Sequence, residues 1–125
     1  MITRILKVDT PNSNGRIYTR EAIETAIEKH AGNPLMISLG VQEKTELDMN
    51  RITGVMTNLS IDGDGYLVGE ITRLNLPAAE TLDKLTDMAY IPVGYGTVGE
   101  DGAIRDYTFS YIAVIPALMA AKLEA

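Results

Sequence analysis

Three clusters of glycine with small polar residues fix where this chain must turn. They are Asn12-Ser13-Asn14-Gly15, Asp62-Gly63-Asp64-Gly65 and Gly99-Glu100-Asp101-Gly102. Glycine lacks a Cβ and enters the left-handed region freely, while Asn and Asp bond their own turns, so such clusters end elements rather than continue them. The second and third clusters each lie between two β-prone runs, residues 51–61 and 66–74 around one, 90–98 and 104–115 around the other. Both predict β-hairpins. Alternation in the run 51–61 is only partial, with Thr57 among Val55, Leu59 and Ile61.

The first cluster has a strand before it and a helix after it. Residues 2–8 are β-branched and aliphatic and read as a strand. Thr19 is placed to cap a helix, Glu21 faces its positive end, and Ala22, Ile23, Ala26 and Ile27 recur at helical spacing. Gly32 suits the C′ position and Pro34 cannot continue, so the helix is expected over residues 20–31. Residues 35–39 form a short apolar run, a strand. Residues 40–50 are polar and unpatterned, a mobile loop by expectation. Pro77 opens a second helical pattern that puts Ala78, Leu82, Leu85 and Ala89 on one face. Residues 117–125 either extend as a short helix or fray. No repeat or linker divides the chain, so residues 1–125 are expected to form one domain. The element order predicts an α+β fold, a small mostly antiparallel sheet or β-barrel flanked by two helices.

Composition removes several functions. There is no cysteine, hence no disulfide, no thiol nucleophile and no thiolate zinc site. Eleven basic against 17 acidic residues leave a net charge of -6, unsuited to non-specific nucleic-acid binding or to anionic membranes. No apolar stretch approaches the roughly 20 residues a bilayer needs, and residues 1–8 lack a signal-peptide core. A soluble, intracellular protein is expected at the point of synthesis.

Few residues carry chemistry. The one histidine, His30, falls at the end of the first helix, where it suits the negative helix terminus better than a catalytic role. Ser13, Ser38, Ser60 and Ser110 all lie outside Gly-x-Ser-x-Gly. Asp62, Asp64 and Glu70 lack the full calcium-loop pattern and read as a polar hairpin tip. Gly94-Tyr95-Gly96-Thr97-Val98-Gly99 mimics a dinucleotide fingerprint, but a hairpin follows where a helix is required. Those glycines instead mark a bend or a close backbone approach. Tyr18, Tyr66, Tyr90, Tyr95, Tyr107 and Tyr111 read as partly buried strand residues with no basic patch between them. No catalytic, cofactor or metal residue is assigned.

Val8-Asp9 followed by Asn12-x-Asn14-Gly15-Arg16-Ile17-Tyr18 and a helix resembles the opening of the prohead (capsid-maturation) proteases of tailed bacteriophages. Ser38-Leu39-Gly40 resembles the family's Leu-Gly segment. Ile91-Pro92-Val93-Gly94-Tyr95-Gly96-Thr97-Val98 resembles its Gly-x-Gly strand, and the stretch ending in Pro116-Ala117 its closing strand. The resemblance implies a small β-barrel flanked by helices, shared with herpesvirus assembly proteases. It also implies a serine just before Gly-x-Gly and a histidine shortly after Leu-Gly. Ile91, Pro92 and Val93 stand before Gly94, and Val41-Gln42-Glu43-Lys44-Thr45 follows Gly40, with neither residue present. The expectation is therefore a non-enzymatic, protease-like phage head protein with a structural role, as capsid decoration or cement or as a prohead core component. Its implied partners are the major capsid or other head proteins, and its own copies as a homo-oligomer. Its implied place is the virion head, reached from the host cytoplasm. The alternative is an active serine assembly protease with a relocated pair, Ser38 with His30.

Overall fold

The computed structural model describes residues 1–42 and 47–123, with side-chain surroundings through residue 120. Its elements are β1 (Ile2–Lys7), β2 (Ile17–Tyr18), α1 (Arg20–Lys29), β3 (Leu35–Leu39), a 3-10 turn at Met49–Arg51, β4 (Ile52–Ile61), β5 (Tyr66–Arg73), α2 (Pro77–Asp83), β6 (Met88–Val98), β7 (Ala103–Pro116) and α3 (Ala117–Leu123). Both expected hairpins form. The Asp62 carboxylate accepts the amides of Asp64 and Tyr66, and Gly65 takes φ +86° to close the first. In the second, Asp101 accepts the Ala103 amide and Gly102 takes φ +83°. Part of the 40–50 loop, residues 43–46, lies outside the described residues.

The seven strands form one sheet in the order β1-β5-β4-β3-β7-β2, with β6 on the other edge of β7. β2 and β3 share an edge of β7, pairing parallel at Ile17↔Ala103 and at Ile37↔Ile112 through Leu39↔Val114. All other pairings are antiparallel. The sheet curls until β1 lies beside β6, yet no ladder joins them. The result is a half-barrel with a seam. Pro92 on β6 helps to keep the seam open, because it has no N–H to give an outer partner.

One core fills the curl, built on Ile23 and Ala26 of α1, Ile37, Met56, Leu67 and Ile112, all nearly inaccessible. A smaller cluster of Ile91, Val93, Tyr111, Ala113 and Ile115 lies on the opposite face of the β6–β7 pair. β-bulges assign residues to these faces. Strand residues alternate sides, and one extra residue flips the alternation. On β7, Val98 pairs with Ile104 but Thr97 with Asp106; later Gly94 pairs with Phe109 but Val93 with Tyr111. The two extra residues, Arg105 and Ser110, bring Ile104, then Tyr107 and Phe109, then Ile112 and Val114 to the same core. A bulge between Thr57 and Ser60, with Asn58 at φ +52°, does the same for β4. It moves the core side from Met56 to Leu59 and Ile61, which explains the broken alternation there.

Three expectations change. The helices are three, not two, since residues 117–123 form α3, started by the Ala117 amide bonding to the Asp87 carbonyl. α2 stops at Asp83, so Leu85 falls outside it and Ala89 falls in β6. The chain turns at Asp87 (φ +53°), and pairing of Met88 and Ala89 with Pro116 and Ile115 overrides helical periodicity. α1 ends at Lys29 with His30 as its cap, leaving Gly32 (φ +79°) two residues past the cap.

Candidate functional site

The opening motif is a closed structural unit. The Asn12 side chain accepts the amides of Asn14 and Arg16 at 2.9 and 3.0 Å, and Gly15 takes φ +76°. Asn14 itself keeps a negative φ, so Asn12 rather than Asn14 organises the turn with Gly15. The Ile17 amide bonds to the Gly102 carbonyl, which docks the loop on the β6–β7 turn. Tyr18 is buried edge-on against Tyr107, with ring centroids 5.4 Å apart. Asp9, at φ +56°, and Thr19 then cap α1 together, accepting the amides of Arg20 and Ala22. Arg16 joins through its backbone; its guanidinium bonds to none of the described residues.

The second unit lies at the other end of β7, where the chain leaves β3. Gly40 turns at φ +86° with the Arg51 guanidinium packed against it, in space that a Cβ would occupy. The Arg51 Nε donates to the Leu39 carbonyl at 3.0 Å. Gln42 is then tied on every side. Its amide N–H donates to the Tyr111 hydroxyl at 2.6 Å, and that hydroxyl donates to the Gln42 carbonyl at 2.5 Å. Its side-chain Nε2 donates to the Ser38 hydroxyl at 2.6 Å, and its Oε1 accepts the Asp48 amide. Tyr111 stands directly opposite Val93, and Leu47 packs on the cluster they share. The segment after Leu-Gly and the strand before Gly-x-Gly therefore do meet in space, on Tyr111.

What meets there, among the described residues, is an amide, a phenol, the Ser38 hydroxyl and aliphatic side chains. Ser38 is fully buried and donates its proton to the Gly40 carbonyl at 2.9 Å. His30 is elsewhere. Its Nε2 donates to the Phe109 carbonyl at 2.9 Å, and its ring packs edge-on to Phe109 at 6.0 Å. The structure does not join Ser38 and His30 by a hydrogen bond. Gly94 and Gly96 are close approaches, as expected: a Cβ on either would press into β7, at Gly96 to within 2.8 Å of the Asp106 carbonyl. Asp62 and Asp64 hold Arg4 at 3.2 and 2.9 Å, and Glu70 accepts from Asn58. The backbone bond from Tyr66 does most to lower the Asp62 pKa; desolvation opposes it, and the Asp64 amide and Arg4 add to the lowering. No cluster of three or more metal-ligating side chains occurs among the described residues.

Sequence assigns Gln42 and Arg51 no role and marks Tyr111 only as one of six partly buried strand tyrosines, whereas Tyr111 is fully buried. Its signal was a polar ring directly before the aliphatic run 112–115.

The curled half-barrel, with α1 packed in its hollow and a Gly-x-Gly strand at its seam, is a phage assembly-protease fold. The chain is similar in structure to the capsid assembly protease of bacteriophage T4. The TM-score is 0.70 over 92% of this chain and 79% of that one, at 12% sequence identity. No protein-family profile and no curated protein matches the sequence.

Proposed function

We propose that this protein is a phage head component that uses the assembly-protease fold as a structural part and does not act as a serine protease. It decorates or cements the shell, or sits in the prohead core. One observation supports the reading above the others: among the described residues, the one serine where Gln42 and Val93 converge on Tyr111 is Ser38, which is buried, gives its proton to the Gly40 carbonyl and has no histidine bonded to it. An aliphatic side chain cannot attack a carbonyl, and an amide does not take a proton from a hydroxyl. Among the described residues, no helix is long and apolar enough to cross a membrane. On this reading the partners are the major capsid protein or other head proteins, and copies of the chain itself. The protein is made in the host cytoplasm and ends in the head.

Two measurements test it. Purified protein incubated with the phage's capsid and scaffold precursors is expected to leave both intact, and mass spectrometry is expected to find the chain in proheads or mature heads. Specific cleavage that disappears in a folded Ser38→Ala variant would establish the active alternative. Absence from particles at every assembly stage would end the structural one.

A further inference from the structure

The free edge of β6 offers an interface. Along β6, the Thr97 amide bonds inward to the Asp106 carboxylate at 2.9 Å, and just beyond it the Gly99 amide bonds inward to the Ala103 carbonyl. Backbone direction alternates along a strand, so the N–H and C=O groups of Gly94, Gly96 and Val98 point outward. Pro92 falls in the same outward register. Among the described residues, no strand pairs with this edge. The stretch also lacks the charges that guard strand edges: no charged residue occurs from Met88 through Gly99 in a chain of net charge -6. Its outer residues are open, Val98 being 42% exposed.

We propose that this edge pairs with the same edge of a second copy, antiparallel, about a two-fold axis through Gly96. Such an isologous contact needs only one patch that complements itself. Gly94 of one copy then faces Val98 of the other, and the two Gly96 residues face each other. The register has a consequence for charge. Beyond Val98 the chain turns at Gly99–Gly102, and this turn carries Glu100 of one copy toward the Pro92 end of the other's edge. Pro92 and Ile91 line a cavity of about 250 Å³ in the β1–β6 seam, together with Lys7, Thr10 and Asn12. An exposed acid of one copy is thus delivered to a lysine of the other, twice per dimer. The two acidic hairpin tips, eight residues apart along the joined strands, are separated by about 25 Å, beyond the screening length at physiological salt. Parallel pairing would set them side by side. The interface stands whether or not the chain cleaves peptides.

The test is sedimentation of the full chain over a concentration series, with thermal melts as folding controls. A dimer is expected. Val98→Pro removes an outward N–H without touching the inner ladder and is expected to weaken the dimer at least about tenfold. Lys7→Glu is expected to weaken it as well, and Lys7→Glu combined with Glu100→Lys to restore it. In residue-resolved hydrogen exchange, the Gly94, Gly96 and Val98 amides gain protection as concentration rises, and the Thr97 amide does not change. A monomer at all concentrations, a dimer indifferent to both Val98→Pro and Lys7→Glu, or a charge swap without rescue overturns the proposal. Protection of the three amides that requires another head protein also overturns it, and assigns the edge to that partner.

Discussion

The two ends of β7 solve one problem with different residues. At its start, the loop 9–18 docks by a left-handed glycine, Gly15, and a side chain that collects backbone amides, Asn12. Near its finish, the segment after β3 docks by Gly40 and by Gln42, which binds backbone and side chain together. The first end carries the motif that resembles the opening of the prohead proteases, residues 8–18. At the second, the described residues bring the Ser38 hydroxyl to Gln42 and place no histidine beside it. A position defined by backbone shape accepts few residues, since only glycine holds φ near +80° without strain. A position defined by reactivity accepts any side chain that satisfies the local hydrogen bonds once reaction is not required. Gln42 and Tyr111 satisfy theirs completely, and no buried side-chain polar atom is left unpaired among the described residues.

The largest test of this contrast is Tyr18→Ala. Tyr18 is 5% exposed and wedged against Tyr107, so its removal leaves a cavity under the opening loop. We expect a loss of about 3–5 kcal/mol in urea unfolding, as for other buried aromatic side chains. Leu47→Ala, on the half-covered second cluster, is expected to cost far less. Equal losses would erase the distinction between a structural end and a replaceable one.

Tyr111→Phe comes next. It keeps the buried ring and deletes the hydroxyl that pairs with both backbone groups of Gln42. Leaving those groups unsatisfied is expected to cost about 1–3 kcal/mol. The same denaturant curves read it, and protection of the Gln42 amide should fall with it. An unchanged midpoint would mean that water replaces the phenol and that the segment is not pinned.

Gly15→Val isolates backbone strain, because a Cβ there meets nothing within 4 Å. The left-handed φ of +76° alone should cost about 1–2 kcal/mol. A melt equal to the wild type would remove backbone shape as the reason for glycine at this position.

Much of the architecture could be read from sequence, because turns are local. Asp62-Gly63-Asp64-Gly65 and Gly99-Glu100-Asp101-Gly102 determine their hairpins by themselves. Thr19, Glu21 and the aliphatic spacing determine α1. β2 could not be read, since two residues become a strand only when the Gly102 carbonyl and Ile104 are brought to them. The bulges at Arg105, Ser110 and Asn58 were hidden for the same reason: an extra residue is defined only against its partner strand. The Gln42–Tyr111 pair spans 69 positions, so no spacing rule joins it.

The smallest effect is expected in acid, and it should separate the two ends. Asp101 braces the turn that receives Ile17, through Arg105 at 2.6 Å and the Ala103 amide at 3.1 Å. The bond to the Arg105 guanidinium, then the backbone bond, hold its pKa down at about 2, below the ordinary 3.8. A carboxylate depressed on folding contributes its stability above the unfolded pKa and loses it as pH falls through the folded one. The loss therefore runs from about pH 4 down through about pH 2. Asp83, lowered by its bond to Arg73, adds in the same direction. Both carboxylates are exposed, so the change in melting temperature should be slight and should shrink further in salt. At the other end, an amide and two hydroxyls make the bonds to Gln42, Ser38 and Tyr111. The Ala103 amide resonance is thus expected to titrate with a midpoint near 2 while the Gln42 amide does not follow it. A shared midpoint would mean that the two ends of β7 loosen together and form one cooperative unit.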